Sequence, residues 1–452
     1  MRPFSAGSAT AVAFAAVLTL VACAGHEAPG APPIVGPTKT PPSPTPGPTV
    51  SPTATPTPGS GPVAPTPIPP GPTPTGSPLL VGYSYVSFGG ATGGWLSTAL
   101  ANAFAYPVQS GFGGTGQTIA IIGAAYPARS DLTSFWSISK IPAATVNFLA
   151  FDGGNGSPNK GEIDEATLDA ETISGLAPYA VTDVIAMPGL NDQYVAPAIE
   201  YAVDQLGASV VSMSFGGCET DDEQSDAAID GVAEEAAATG VTLVASAGDS
   251  GTTCDLGVQT GVQEPASDPY VVGVGGTESL FNVGNNATQQ QIDADLQNPA
   301  PWNETTSGDS PRGAGGGGIS QIWAIPSYQY APGALSSTQR NVPDIAFPAS
   351  VLNGPAAVYL NGAWSLIGGT SWSAPQFAAM QAEINQVCGH NRWGLPDLYR
   401  VAYQFPAAFV DVTTGEISWP GFSLEYYAGT GYDNASGLGM PLGLEIAIYD
   451  GC

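Results

Sequence analysis

The chain is 452 residues long and carries 38 acidic side chains against nine basic ones, a formal net charge of −29. That balance excludes partners that need a basic surface to meet them, nucleic acid and acidic membrane among them. Only 10% of residues are charged, which is low for a cytosolic protein, and the acidity suits a low-pH setting, where protonation moves the net charge toward zero.

At the N-terminus, Arg2 precedes an apolar stretch from Ala11 to Ala22, the pattern of an export signal. Its end, Leu20-Val21-Ala22-Cys23, is similar to the lipobox of bacterial lipoproteins, which implies a lipid on Cys23 and a place at the cell surface. A plain secretory peptide, which would leave the protein extracellular, or an uncleaved anchor are the alternatives for residues 1–23. Residues 24–78 read as a linker, because 19 of the 43 prolines fall between residues 31 and 78, interleaved with Thr, Ser and Gly. Such a tract cannot build a core. It is expected to be a polyproline-like spacer of up to ~150 Å at about 3.1 Å per residue, with a ligand tract for proline-binding domains as the alternative.

Residues 79–452 are long for one domain but within the range of an α/β enzyme. Thr118 to Ile122, Val181 to Ala186, Ser209 to Ser214, Val241 to Ala245 and Tyr270 to Val274 read as buried strands. Asp192 to Leu206, Asp221 to Ala238 and Gln376 to Val387 read as helices. This alternation predicts a parallel sheet flanked by helices on both faces, with the ligand site at the carboxyl ends of the strands.

Three segments carry candidate chemistry. Gly369-Thr370-Ser371-Trp372-Ser373-Ala374-Pro375 offers Ser371 as a nucleophile. A serine hydroxyl needs a base, yet the only histidines are His26, in the N-terminal tail, and His390, beyond the motif. Gly161 to Thr172 is an acidic run of good helix formers in which Glu165 and Asp169, four residues apart, share a face and can share a proton. Asp249 follows an apolar strand in the glycine-flanked turn Gly248-Asp249-Ser250-Gly251. Each has a plainer reading: Ser371 as a helix cap, Glu165 and Asp169 as a solvated helix face, Asp249 as a turn residue bonded to its own backbone.

Together and in this order, the three segments resemble the sedolisins, the serine-carboxyl peptidases of subtilisin-like fold. The resemblance spans about residues 97 to 450 and takes in Ser212-Met213-Ser214-Phe215-Gly216-Gly217, Gly315-Gly316-Gly317-Gly318-Ile319-Ser320 and Val342-Pro343-Asp344. It implies an acid-active serine-type endopeptidase acting on polypeptides, with Ser371 as nucleophile and Glu165 as general base. Asp169 would orient Glu165, and a protonated Asp249 would bind the oxyanion. It also implies one structural Ca²⁺, held by Asp411 and Asp433 and by the carbonyls of Val412, Gly429 and Gly431, a hard-oxygen set. The glycine run from Gly313 to Gly318 lacks the strand–turn–helix frame of a nucleotide loop, and the resemblance places it beside the substrate cleft.

Two positions depart from the family pattern: Gly123 stands where some members carry a glutamate, and Phe215 where some carry a tryptophan. The proline-rich tract cannot fold as the long prosegment common in the family, so the domain is expected to fold unaided or with help from another chain. With Cys23 set aside for lipid, four cysteines remain. Cys218 and Cys254 follow neighbouring strands and are expected to pair, leaving Cys388 to pair with Cys452; free buried thiols are the alternative. A monomer is expected. Other functional readings are a histidine-dependent subtilase using His390 and a non-catalytic surface binding protein that keeps the peptidase fold.

Overall fold

The computed structural model describes residues 71, 73 and 76–452, apart from 90–91, 280–287, 307–312 and 330–332. The export signal, Cys23 and the proline-rich tract as far as residue 70 lie outside the described residues. Among the described residues no helix is long and apolar enough to cross a membrane.

The central sheet is built from β1 (Thr118–Gly123), β2 (Thr145–Ala150), β3 (Val181–Ala186), β4 (Val210–Met213), β5 (Thr242–Ser246), β6 (Val271–Ser279), β7 (Pro299–Pro301) and β8 (Ile345–Pro348). Its order is β7-β6-β5-β4-β1-β3-β2, with β8 also paired to β6. All pairings are parallel except the edge pair β6–β7. The expected strands are therefore present, and the antiparallel edge is an addition. Because successive side chains of a strand point to opposite faces, β1 sends Ile119 and Ile121 into one apolar core and Ala120 and Ile122 into the other.

Two helices on the first face position the candidate site: α1 (Lys160–Leu176) and α2 (Thr370–Cys388), which pack against each other. The expected helix from Gln376 begins six residues earlier, at Thr370. Pro375 therefore lies inside the helix. An internal proline removes the amide that would bond the carbonyl four residues back, here that of Ser371, and the Ser214 hydroxyl lies 3.2 Å from that carbonyl instead. The expected helix from Asp192 to Leu206 is regular only to Glu200 and continues as a π-turn over Tyr201–Gln205, following the internal Pro197.

Disulfides join Cys218 to Cys254 and Cys388 to Cys452, as expected. The first closes the loop beyond Asp249. The second ties the C-terminus to the end of α2. Asp344, fully buried, accepts two bonds from Arg340 at 2.7 Å, one from Tyr399 at 2.7 Å and one from the Gly273 amide at 2.8 Å. This anchors the Val342-Pro343-Asp344 segment to β6.

Candidate active site

The carboxyl ends of β4 and β5 and the first turn of α2 converge on one place. Gly369 is the N-cap of α2, and Ser371 is its second helical residue, with no side-chain capping bond. The cap reading of Ser371 is thereby replaced. At that position its amide N–H has no partner within the helix, and it points out of the positive end of a 19-residue helix.

Glu165 and Asp169 lie on the face of α1 turned toward this turn. Asp169 is 2% exposed, so the reading as a solvated face does not hold. Its Oδ1 accepts a 2.7 Å bond from the Ser214 hydroxyl. Burial raises Asp169 to about 7, against the lowering effect of that bond. Burial, then the neighbouring Asp169 carboxyl, push Glu165 well above the ordinary carboxylate value, while a hydrogen bond from the Ser371 hydroxyl pulls it down. Two carboxyls one helical turn apart on this face resist holding two charges at once. Glu165 Oε1 is buried with no hydrogen-bond partner. Beside it lies a pocket lined by Gly123, Ala125, Glu162, Leu190 and Phe215, and a Cβ at Gly123 would meet nothing within 4 Å.

Asp249 reaches across the chain rather than to its own turn. Its Oδ1 accepts the Thr370 amide at 2.7 Å and the Thr370 hydroxyl at 2.8 Å. Burial raises its pKa, and these two bonds oppose the rise. With Oδ1 engaged by Thr370, Oδ2 is the oxygen outside these two bonds. Thr370 Oγ1 also accepts the Gly248 amide at 3.1 Å, so one hydroxyl locks the Asp249 turn to the nucleophile's turn. The glycine run packs under the same turn: the Gly316 amide donates to Gly248 O at 2.7 Å, and a Cβ at Gly316 would lie 1.9 Å from Ala247 O. Glycine is required there for backbone to approach backbone.

Ser214 and Thr370 carry no role that is legible from the sequence. Both stand inside quoted motifs, but hydroxyl residues at strand ends and helix starts are common, and only contacts 45 to 157 residues away in the chain distinguish these two. His390 is exposed and follows the far end of α2, about 26 Å from Ser371 at 1.5 Å per residue. It cannot serve as the base.

At the expected metal site, Asp411 Oδ1 is buried without a partner, and Asp411 Oδ2 accepts the Gly431 amide at 3.1 Å. Asp433 Oδ2 accepts only the Gly429 amide at 2.8 Å, while its Oδ1 binds Ala435 and Ser436 of its own turn. Burial raises Asp433 to about 6. An orphaned buried carboxylate oxygen, on an aspartate that shares the 429–431 loop with a second carboxylate, fits a hard cation.

The subtilase family model (Peptidase_S8) matches residues 152–395, which includes Glu165, Asp169, Asp249 and Ser371. Kumamolisin of Bacillus sp. (strain MN-32) is 36% identical over 77% of this chain and 62% of its own length. Sedolisin of Pseudomonas sp. (strain 101) is 30% identical over 73% of this chain and 56% of its own. This chain belongs to the subtilase family, on its sedolisin branch. Among solved structures, Pseudomonas sedolisin, a serine-carboxyl proteinase complexed with two molecules of pseudo-iodotyrostatin, superposes with a TM-score of 0.66 at 26% identity. That match covers 79% of this chain and 97% of the sedolisin chain. Against the two curated relatives, this sedolisin-branch chain spans somewhat over half their length.

Proposed function

We propose that this chain is an exported, acid-active serine-carboxyl endopeptidase that cleaves polypeptides. The observation that carries this reading is the Ser371 hydroxyl beside Glu165, which shares a helix face with the buried Asp169, while Asp249 is bonded to Thr370 of the same turn. The Ser371 hydroxyl attacks the scissile carbonyl carbon while its proton passes to Glu165, and Asp169 stabilises Glu165 by sharing that proton. The oxyanion forms between the Ser371 amide and the proton on Asp249 Oδ2, a task that a charged aspartate cannot perform. Collapse of the tetrahedral intermediate breaks the C–N bond, and Glu165 returns the proton to the leaving amine. Water, deprotonated by the same carboxyl, then releases the acyl group.

Asp411, Asp433 and the carbonyls of Val412, Gly429 and Gly431 would hold one Ca²⁺. When bound, it neutralises two carboxylates and fastens the C-terminal loops. Export through residues 1–23, with lipid on Cys23 and a monomeric catalytic domain held off the membrane by the linker, completes the proposal.

The test is incubation of the purified protein with a denatured polypeptide near pH 4, with products read by mass spectrometry. Internal fragments are expected from the wild type and none from Ser371→Ala or Glu165→Gln. Retained cleavage in Ser371→Ala contradicts the assigned nucleophile, and short peptides released only from the amino terminus contradict the endopeptidase reading.

A further inference from the structure

We propose that Ser214 is a positioning residue whose hydroxyl transmits the protonation state of Asp169 to the turn that carries Ser371. Ser214 follows β4 directly and is 4% exposed. Its Oγ lies 2.7 Å from Asp169 Oδ1 and 3.2 Å from the carbonyl oxygen of Ser371. Its own carbonyl lies 3.4 Å from Ser371 Oγ. Ser214 thus touches the nucleophilic residue through both backbone and side chain. The Ser371 carbonyl is open to this contact because its helical partner would be the amide of residue 375, a proline without an N–H.

One hydroxyl proton faces two acceptors, so the hydroxyl has two settings. When Asp169 is ionised, the shorter and charged contact holds the proton, and the Ser371 carbonyl is left without a donor. When Asp169 carries a proton, its O–H donates to Ser214 Oγ, and the Ser214 proton turns to the Ser371 carbonyl. The second setting arises as Glu165 and Asp169 take up the nucleophile's proton. It therefore braces the first turn of α2, and the Ser371 amide on it, at the moment the oxyanion forms.

The groups facing this contact are few. Glu165, Glu162 and Asp164, the last paired with Lys160, come from α1, and Asp249 comes from beyond β5. The strands lining the pocket contribute Ile121, Ile122 and Val184 there, and Glu383 of α2 is turned away onto the Val108 amide. Asp169 and Glu165 are thus the groups whose proton Ser214 can sense directly.

The inference rests on the peptidase reading, and its test separates the two. In the full chain, Ser214→Ala is expected to lower kcat about 10- to 100-fold, the scale of a misplaced reacting group, with KM nearly unchanged. The acid limb of the kcat profile should move to higher pH, because Asp169 loses the bond that favours its charged form. Ser214→Thr, which keeps the hydroxyl, should restore both. Independently of turnover, carboxyl infrared titration in a Ser371→Ala background, with Asp169→Asn to assign the band, should show Asp169 titrating at higher pH once Ser214 is replaced by Ala. An unmoved infrared titration overturns the proposal even if the protein proves not to be a peptidase. So does an active wild type whose Ser214→Ala variant keeps its kcat and acid limb.

Discussion

Gly369 and Asp249 are in direct contact across the site: a Cβ at Gly369 would sit 2.6 Å from Asp249 Oδ2, and Gly369 has a φ of +112°. Both facts demand glycine immediately before Thr370-Ser371, since a side chain there is strained by its backbone angle and collides with the oxygen assigned to the oxyanion. Gly369→Ala should therefore displace Asp249 and lower kcat by about 10²-fold, the scale of a lost oxyanion donor. KM should change far less. Steady-state kinetics on a peptide substrate check this.

Thr370→Val keeps the shape of the side chain and removes the hydroxyl that donates to Asp249 and accepts from Gly248. The Gly248 amide loses a buried partner, so stability should fall by about 1–3 kcal/mol. Asp249 loses a bond that lowers its pKa. It should then stay protonated to higher pH, and the alkaline limb of activity should move upward. Denaturant melts and a pH–rate profile measure the two effects.

The segments that carry Ser371, Glu165, Asp169 and Asp249 were legible in the sequence because each has its own signature, and the fold brings them to one place. The periodic apolar strands were legible for the same reason. The start of α2 was not, since Pro375 reads as a boundary and only the Ser214 contact shows how the helix continues through it. Glu383 was also unreadable: within its helix it resembles a surface residue, yet it is fully buried and accepts the Val108 amide at 2.8 Å. A partner 275 residues away leaves no local trace. Asp433 has one oxygen bound to its own turn and the other to the Gly429 amide, a division that the sequence does not display.

Stability should favour acid. Burial raises Asp169 to about 7, Glu278 to about 7 and Asp268 to about 8, and unfolded carboxyls titrate near 4. Folded values above unfolded ones contribute stability that is fully present below about pH 4 and is lost as pH rises through 7 and 8. The melting temperature is expected to fall between pH 5 and pH 8. Replacing Asp268, the most raised of the three, by Asn should flatten that decline. A melting temperature that climbs over this range contradicts the assignment of these groups as neutral in the fold.

Calcium should stabilise without entering the chemistry. At a free concentration about 100-fold above Kd, one ion adds roughly 2.7 kcal/mol, visible as a rise in melting temperature that chelator reverses. Asp411→Asn should abolish the rise and leave the pH optimum in place. An unchanged melting temperature with chelator, together with no metal by elemental analysis, removes the site.

The carboxylate mechanism itself is tested most directly by kcat/KM against pH for the wild type and Asp249→Asn. A base of carboxyl type and a protonated Asp249 coexist only in acid, about pH 3–5 for ordinary carboxyls, and burial of both moves that window upward. The wild type is expected to peak there and to lose activity toward neutrality as Asp249 ionises. Asp249→Asn, which cannot ionise, should be slower at the optimum but flat on the alkaline side. A neutral or alkaline optimum in the wild type would contradict the mechanism.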